Sequence, residues 1–158
     1  MLRWLCWLCL LVELLWLPAA WAERVNLSGQ SLYGQRLSGQ DFALGSFVAT
    51  DLQYAHLDHC NLSGATLTKA NLSHGDLSDS NLENALLDLA ILDHADLKRA
   101  NLRGAILSRA NWYETDVTGA DFTDAIVDRA AVRYLCQTAS GHHPQTGVAT
   151  RASLGCLP

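Results

Sequence analysis

His74, His94 and Glu114 stand twenty residues apart, and Tyr54 and Tyr134 continue the series on either side. Imidazole nitrogen and carboxylate oxygen are common zinc ligands, so by residue type this trio resembles part of a metal site. A second series at the same interval is His56, Asp76, Asp96 and Asp116, and the same interval would put Asp58 and Asp79 on its face. Carboxylates held close together raise one another's pKa or attract a cation. Calcium would need six or more oxygens converging on one point. Nucleophilic chemistry has no comparable beginning. The chain contains no Gly-rich phosphate loop, no Gly-x-Ser-x-Gly elbow and no His-Glu-x-x-His. Both metal series depend on an element that brings residues twenty apart into register.

That element is written in the apolar residues. From Leu27 to Val132 every fifth residue is large, giving twenty-two consecutive pentads in one frame, and only Trp112 departs from Leu, Phe and Val. Two residues before each, through most of the run, stands a small one: Ala55, Cys60, Ala65, Ala70, Gly75, Ser80, then Ala85 and onward. Repetition at a fixed period defines a repeat architecture. A period of five fits no ordinary element. On a helix, five steps of about 100° smear the large residue around the cylinder. On a strand, successive pentads send it to opposite faces. A chain that bends after every pentad keeps each small-x-large pair inside, and four bends close a square coil. Coils then stack about 4.8 Å apart through backbone hydrogen bonds.

With Ala-Asn-Leu-Ser-His at residues 70–74 and Ala-Asp-Leu-Lys-Arg at 95–99, the chain resembles the pentapeptide repeat family over residues 25–134. The resemblance implies an all-β, right-handed quadrilateral β-helix of about five and a half coils. Gln30, Gln35 and Gln40 hold the small inward position at the start, so the first coil is expected to be an irregular polar cap. In the family, Asp or Asn before the large residue accepts local backbone hydrogen bonds, a bland account of the acidic series.

Three outward columns follow from a twenty-residue coil. Side chains rising in parallel from a flat face converge poorly on one ion, so no metal is expected. His74, His94 and Glu114 remain weak candidates, with a solvated ladder as the plain alternative. Serines such as Ser63, Ser73 and Ser78 fall at outward positions with no enclosed pocket. The third column breaks the family pattern. Leu86, Ile106 and Ile126 stand where Asp or Asn is typical, with Ile91 around the corner. A contiguous exposed apolar patch marks an interaction site, and a flat aliphatic face of the fold is the alternative reading.

The ends of the chain speak to compartment. Residues 1–22 carry Arg3, an apolar run from Trp4 to Leu17 broken only by Glu13, then Pro18 and Ala20-Trp21-Ala22. This is the form of a secretory signal with cleavage after Ala22. The run is short of the roughly 20 residues a membrane span needs, and an uncleaved anchor is the alternative. The expected organisation is a signal over 1–22, the repeat domain over 23–134 and a capping tail over 135–158. Cleavage removes Glu13 and Arg3 together and leaves the formal charge at −5. Acids and bases are interspersed, with no basic nucleic-acid face and no acidic tail. Cys136 and Cys156 bracket the tail, and in an exported protein a disulfide between them is the natural reading, two free thiols being the alternative. Cys60 is expected to be a buried small group. His142 and His143 are placed in a tail loop without a chemical role.

The resulting expectation is a non-catalytic periplasmic or secreted protein without a cofactor. It would serve as a rigid interaction or structural module for a protein or envelope partner, or for a second copy of itself. The resemblance also supplies an alternative, since some pentapeptide repeat proteins mimic DNA and bind topoisomerases. That reading requires a cytoplasmic location.

Overall fold

A computed structural model describes residues 24–156; the expected signal segment, residues 1–22, lies outside them. The architecture is best understood from the backbone amides of one pentad, all of which must find acceptors when buried. Over residues 70–74, Ala70 N donates to the carbonyl of Leu67 at 3.0 Å, closing a turn, and Asn71 N donates back to Thr50 of the preceding coil at 3.0 Å. Leu72 N and His74 N donate forward to Ile91 and Asp93 of the following coil, at 2.8 and 2.9 Å. The fifth amide, Ser73 N, faces outward and is taken by the Asn71 side-chain oxygen at 3.2 Å. Asp76, Asp96 and Asp116 do the same for the amides of Ser78, Lys98 and Thr118. The Asp or Asn before the large residue therefore completes the amide accounting of each repeat.

Every fifth residue from Asn26 to Ile106 pairs in parallel with the residue twenty further on. These rungs are single-residue bridges, and among the described residues no continuous strand forms. The reason is the turn in every pentad, which leaves room for only one bridging residue per side. Its third position needs a positive φ. Gly29, Gly64 and Gly104 supply it freely, but His74, Lys69, Tyr54 and eleven other non-glycine residues are held at φ between 53° and 61°. An L-residue gives up roughly 1–2 kcal/mol there. The amide at that position is bonded to the next coil in most of these pentads, and that bond holds the conformation.

The large residues fill the centre. Leu52, Leu57, Leu62 and Leu87 are fully buried, as are Ala55, Ala65 and Ala85 behind them. Three polar residues at the small inward sites bond to a carbonyl of the coil below, Thr50 Oγ1 to Leu27 at 2.9 Å, Thr115 Oγ1 to Leu92 at 2.8 Å and Cys60 Sγ to Leu37 at 3.0 Å, while Ser80 Oγ bonds within its own turn to Leu77 at 2.6 Å. Burial pushes the Cys60 thiol up from its usual pKa. Ala95 is 1% exposed, so Ala95→Leu should overpack the corner and destabilise by about 1–3 kcal/mol. Thr68→Leu, on the outer face, should stay within about 0.5 kcal/mol. Urea titrations of the two variants compare them, and equal losses would invert the assignment of faces.

The structure corrects the expected boundaries at both ends of the repeat. The first coil is polar and exposed at Gln30, Gln35 and Gln40, but its backbone is regular and carries the same bridges and turns as the rest. At the other end the solenoid stops after Val127, short of residue 134. Helix α1 spans Arg129–Leu135 and contains Val132 and Tyr134, so the fold is not purely β. Asp128, in an extended conformation, starts the helix. The tail lies across the last coil, where a further coil would otherwise sit. Gly119 N donates to Ser140 O at 2.8 Å, and Phe122 N to Ser153 Oγ at 3.0 Å. A short antiparallel bridge, His142 to Ala149, leads into helix α2 over Thr150–Ser153. The tail is closed by a disulfide between Cys136 and Cys156, whose Cα atoms are 5.7 Å apart. Cys60 is free and buried.

Candidate interaction surface

On the face built from residues 26, 46, 66, 86, 106 and 126, the outward side chains change character partway up. Asn26, Ser46 and Thr66 are followed by Leu86, Ile106 and Ile126, which are bridged to one another in register. Leu86 is 37% exposed and Ile126 56%, with Ile106 half-buried between them. Ile91, also 37% exposed, opens the adjoining face. This aliphatic stripe has a backbone cost. No side-chain oxygen takes the amides of Asp88, Asp93 or Ser108, because the residue two positions earlier has none to offer. Water must serve those donors instead.

The next corner, between the Ile91 face and the face of Asp76 and Asp96, carries rings. Tyr33 and Tyr54 have ring centroids 5.4 Å apart, Tyr54 and His74 stack at 4.7 Å, and His74 and His94 stack at 4.6 Å with planes 4° apart. Tyr113 meets His94 edge-on at 5.4 Å, and the Glu114 carboxylate beside it raises the Tyr113 phenol pKa. His94 Nδ1 lies 3.1 Å from Glu114 Oε2. Tyr134, though displaced into α1, still tops the column, because its hydroxyl accepts Glu114 N at 2.9 Å. The sequence brought His74, His94 and Glu114 together correctly. Their arrangement is a straight stack, in which imidazole lone pairs point in parallel directions and do not meet. The ring continuity through Tyr33 and Tyr113 was missed, because those two positions stand outside the twenty-residue series.

The acidic face is largely neutralised in its upper half. Lys98 Nζ sits 2.8 Å from Asp96 and 3.2 Å from Asp116, and the two carboxylates raise its pKa. Arg99 holds Asp79 through two bonds of 2.8 and 2.6 Å, and that pairing keeps the Asp79 carboxyl below its usual value. On the fourth face Asn61, Asn81 and Asn101 form an amide ladder that begins on Asp41. The next residue of that column, bridged to Asn101 through the backbone, is Asp121, fully buried, whose burial opposes ionisation. The Thr123 hydroxyl and amide, the Thr146 hydroxyl at 2.8 Å and the Arg103 charge outweigh it, so the Asp121 pKa falls. Nothing in the repeat pattern signals this anchor, since Asp is ordinary at that position. His143 is also buried, 4% exposed, with Nδ1 accepting the amides of Gln145 and Thr146, and it shapes the tail loop.

A coil of twenty residues with small-x-large pentads, left-handed corners and side-chain capped amides defines a repeat solenoid. The sequence profile for pentapeptide repeats matches in eight copies over residues 46–84, 76–109 and 95–131, and the chain belongs to the pentapeptide repeat family. Among solved structures, it is similar to a pentapeptide repeat protein from the thylakoid lumen of Arabidopsis thaliana. The two are 35% identical over 84% of this chain and 92% of that one, with a TM-score of 0.81. A pentapeptide repeat protein of the cyanobacterium Cyanothece 51142 is 26% identical over 66% of this chain and 85% of its own, with a TM-score of 0.64. Of curated proteins, the chloroplastic thylakoid lumenal protein TL20.3 of Arabidopsis thaliana is 52% identical over 40 residues, 25% of this chain. That match spans only 14% of the relative's own length. The fold is a β-helix solenoid, and among the described residues no helix is long and apolar enough to cross a membrane.

Proposed function

We propose that this chain is an exported, non-catalytic module whose rigid, right-handed quadrilateral coil presents flat faces to a protein or envelope partner. The observation that carries the reading is the stripe of Leu86, Ile106 and Ile126 with Ile91. Leu86, Ile91 and Ile106 offer no side-chain cap to the amide two residues on, and all four sites leave aliphatic surface in water. Covering the stripe with a partner or a second copy takes the aliphatic surface out of water, and such a partner must also offer acceptors to those amides. The disulfide and the similarity to thylakoid lumenal proteins support a compartment outside the cytoplasm, such as a periplasm or the cell exterior. Among the described residues the serines at the outward repeat positions, such as Ser63, Ser73 and Ser78, sit on open faces, which supports the non-catalytic reading. The DNA-mimic alternative needs unpaired acids in phosphate-like rows, and the pairing of Lys98 and Arg99 with their neighbours counts against it.

Two measurements test the proposal. N-terminal sequencing of the exported protein is expected to begin at Glu23, and cytosolic material retaining Met1 would overturn the compartment. Ile106→Asp should shift melting by little while weakening self-association or partner capture by tenfold or more, read by analytical ultracentrifugation and pull-down. A variant that associates normally would show that the stripe is only a face of the fold.

A further inference from the structure

Within the described residues one group of His and Asp side chains brings its ligand atoms together: His56, Asp58 and Asp76, all within 4.8 Å of one another. The geometry explains why these converge and the His74, His94 and Glu114 column does not. His56 is the bridging residue of its pentad and Asp58 opens the turn two positions on, and their ligand atoms come together on the outer side of the coil. Asp76 stands one coil above His56, bridged to it in register. Two neighbours along the chain and one across the coils make a triangle, whereas a single column makes only a line.

Asp58 and Asp76 are each oriented and each keep a free oxygen. Ser38 Oγ donates to Asp58 Oδ1 at 2.5 Å, and Ser78 N and Oγ donate to Asp76 Oδ1 at 3.0 and 2.6 Å. Such supporting bonds fix a ligating carboxylate in place. A second observation comes from the equivalent triangle two coils higher, made by Asp96, Lys98 and Asp116. There a cation, the Lys98 ammonium, bridges the two stacked carboxylates. In the lower triangle the position equivalent to Lys98 is Asp58, and neither Asp58 nor Asp76 has a Lys or Arg partner among the described residues.

We propose that His56, Asp58 and Asp76 form a zinc site that ties two neighbouring coils together. One imidazole and two carboxylates give three protein ligands, the number found in open zinc sites with water in the fourth position. The set is too poor in oxygen for calcium, and an imidazole favours zinc over magnesium. Bonds of about 2.0–2.1 Å in a tetrahedron put ligand atoms roughly 3.3 Å apart. The side chains must therefore close by only an ångström or so from the observed spread. His56 is exposed and Asp58 and Asp76 half-buried, so rotamer adjustment can supply that closure. The arrangement leaves a coordination position facing solvent, where a donor atom from another molecule can replace the water.

The test is isothermal titration of the untagged, chelator-stripped chain with zinc chloride at neutral pH, beside His56→Gln, Asp76→Asn and Asp96→Asn. One saturable site with a Kd in the micromolar range is expected. His56→Gln and Asp76→Asn should each weaken it at least tenfold, and Asp96→Asn should leave it within twofold. Superimposable melting curves would confirm that the variants are folded; if one is not, Asp58→Asn replaces it. Affinity unchanged in His56→Gln, as adventitious binding at His142 would give, overturns the proposal. So does the absence of saturation below millimolar zinc, or a preference for calcium.

Discussion

Leu87→Ala is expected to lower the free energy of unfolding by about 2–5 kcal/mol, near the top of the range for core truncations. Leu87 is fully buried, and its neighbours in the stack, Leu67 and Leu107, are fully buried too. Every coil around it is hydrogen-bonded above and below, so the backbone cannot collapse onto the void without breaking inter-coil bonds. The matched change Leu32→Ala should cost distinctly less. Leu32 belongs to the first coil and is only partly buried, so much of its surface already meets solvent. Chemical denaturation of both variants gives the comparison. Similar losses would mean that the first coil is as tightly packed as the middle, contrary to its exposure.

Replacing Cys136 and Cys156 together by Ser should cost about 3 kcal/mol, the amount the chain-entropy account assigns to a closed loop of some twenty residues. The loss should be concentrated at the upper end. The tail is fixed there by the disulfide, by Thr146 on Asp121 and by Ser153 on the Phe122 amide. Trp112, 4% exposed and packed near Phe122 at 6.1 Å, lies just below. It is the only tryptophan outside residues 1–22, so its fluorescence reports on this end in a chain processed after Ala22. A red shift at denaturant concentrations that leave the coil signal intact is the expected result. Thiol labelling of the denatured, unreduced wild type should modify Cys60 alone, and labelling at three positions would remove the disulfide from the account.

The fold was legible in the sequence because the inward residues obey a single rule with few exceptions. The five-residue period excluded helix and strand, and the small-x-large pairing pointed to a bending coil. Where the rule kept running without its physical cause, the reading failed. Val132 extends the apolar series by one pentad, but α1 has begun by then, and a large residue every fifth position does not distinguish a coil from one helical turn. The glutamines of the first coil announced an exposed edge correctly, yet their polarity said nothing against a regular backbone, because the backbone bonds do not depend on what fills the inward site. The surface was legible only in part. Reading it as separate columns found the Leu86, Ile106 and Ile126 stripe and the stacked histidines. It put His56, Asp76 and Asp58 in one acidic series but did not single out their triangle, which needs one neighbour along the chain as well as one across the coils. Nor could it show that Asp121 is buried, since the tail that covers it lies outside the repeat.

The two ends of the solenoid are unequal, and that inequality gives unfolding a direction in time. Above the last coil lies a covalently closed tail with bonds to Gly119, Asp121 and Phe122. In the first described coil, Leu27, Leu32, Leu37 and Phe42 are only partly buried. Stacked coils are stabilised mainly by their neighbours, so a coil with one neighbour opens more often than a coil with two. Opening therefore starts among residues 25–44 and travels upward like a zip, one rung at a time. The amides of the upper coils exchange with solvent only after those below have let go.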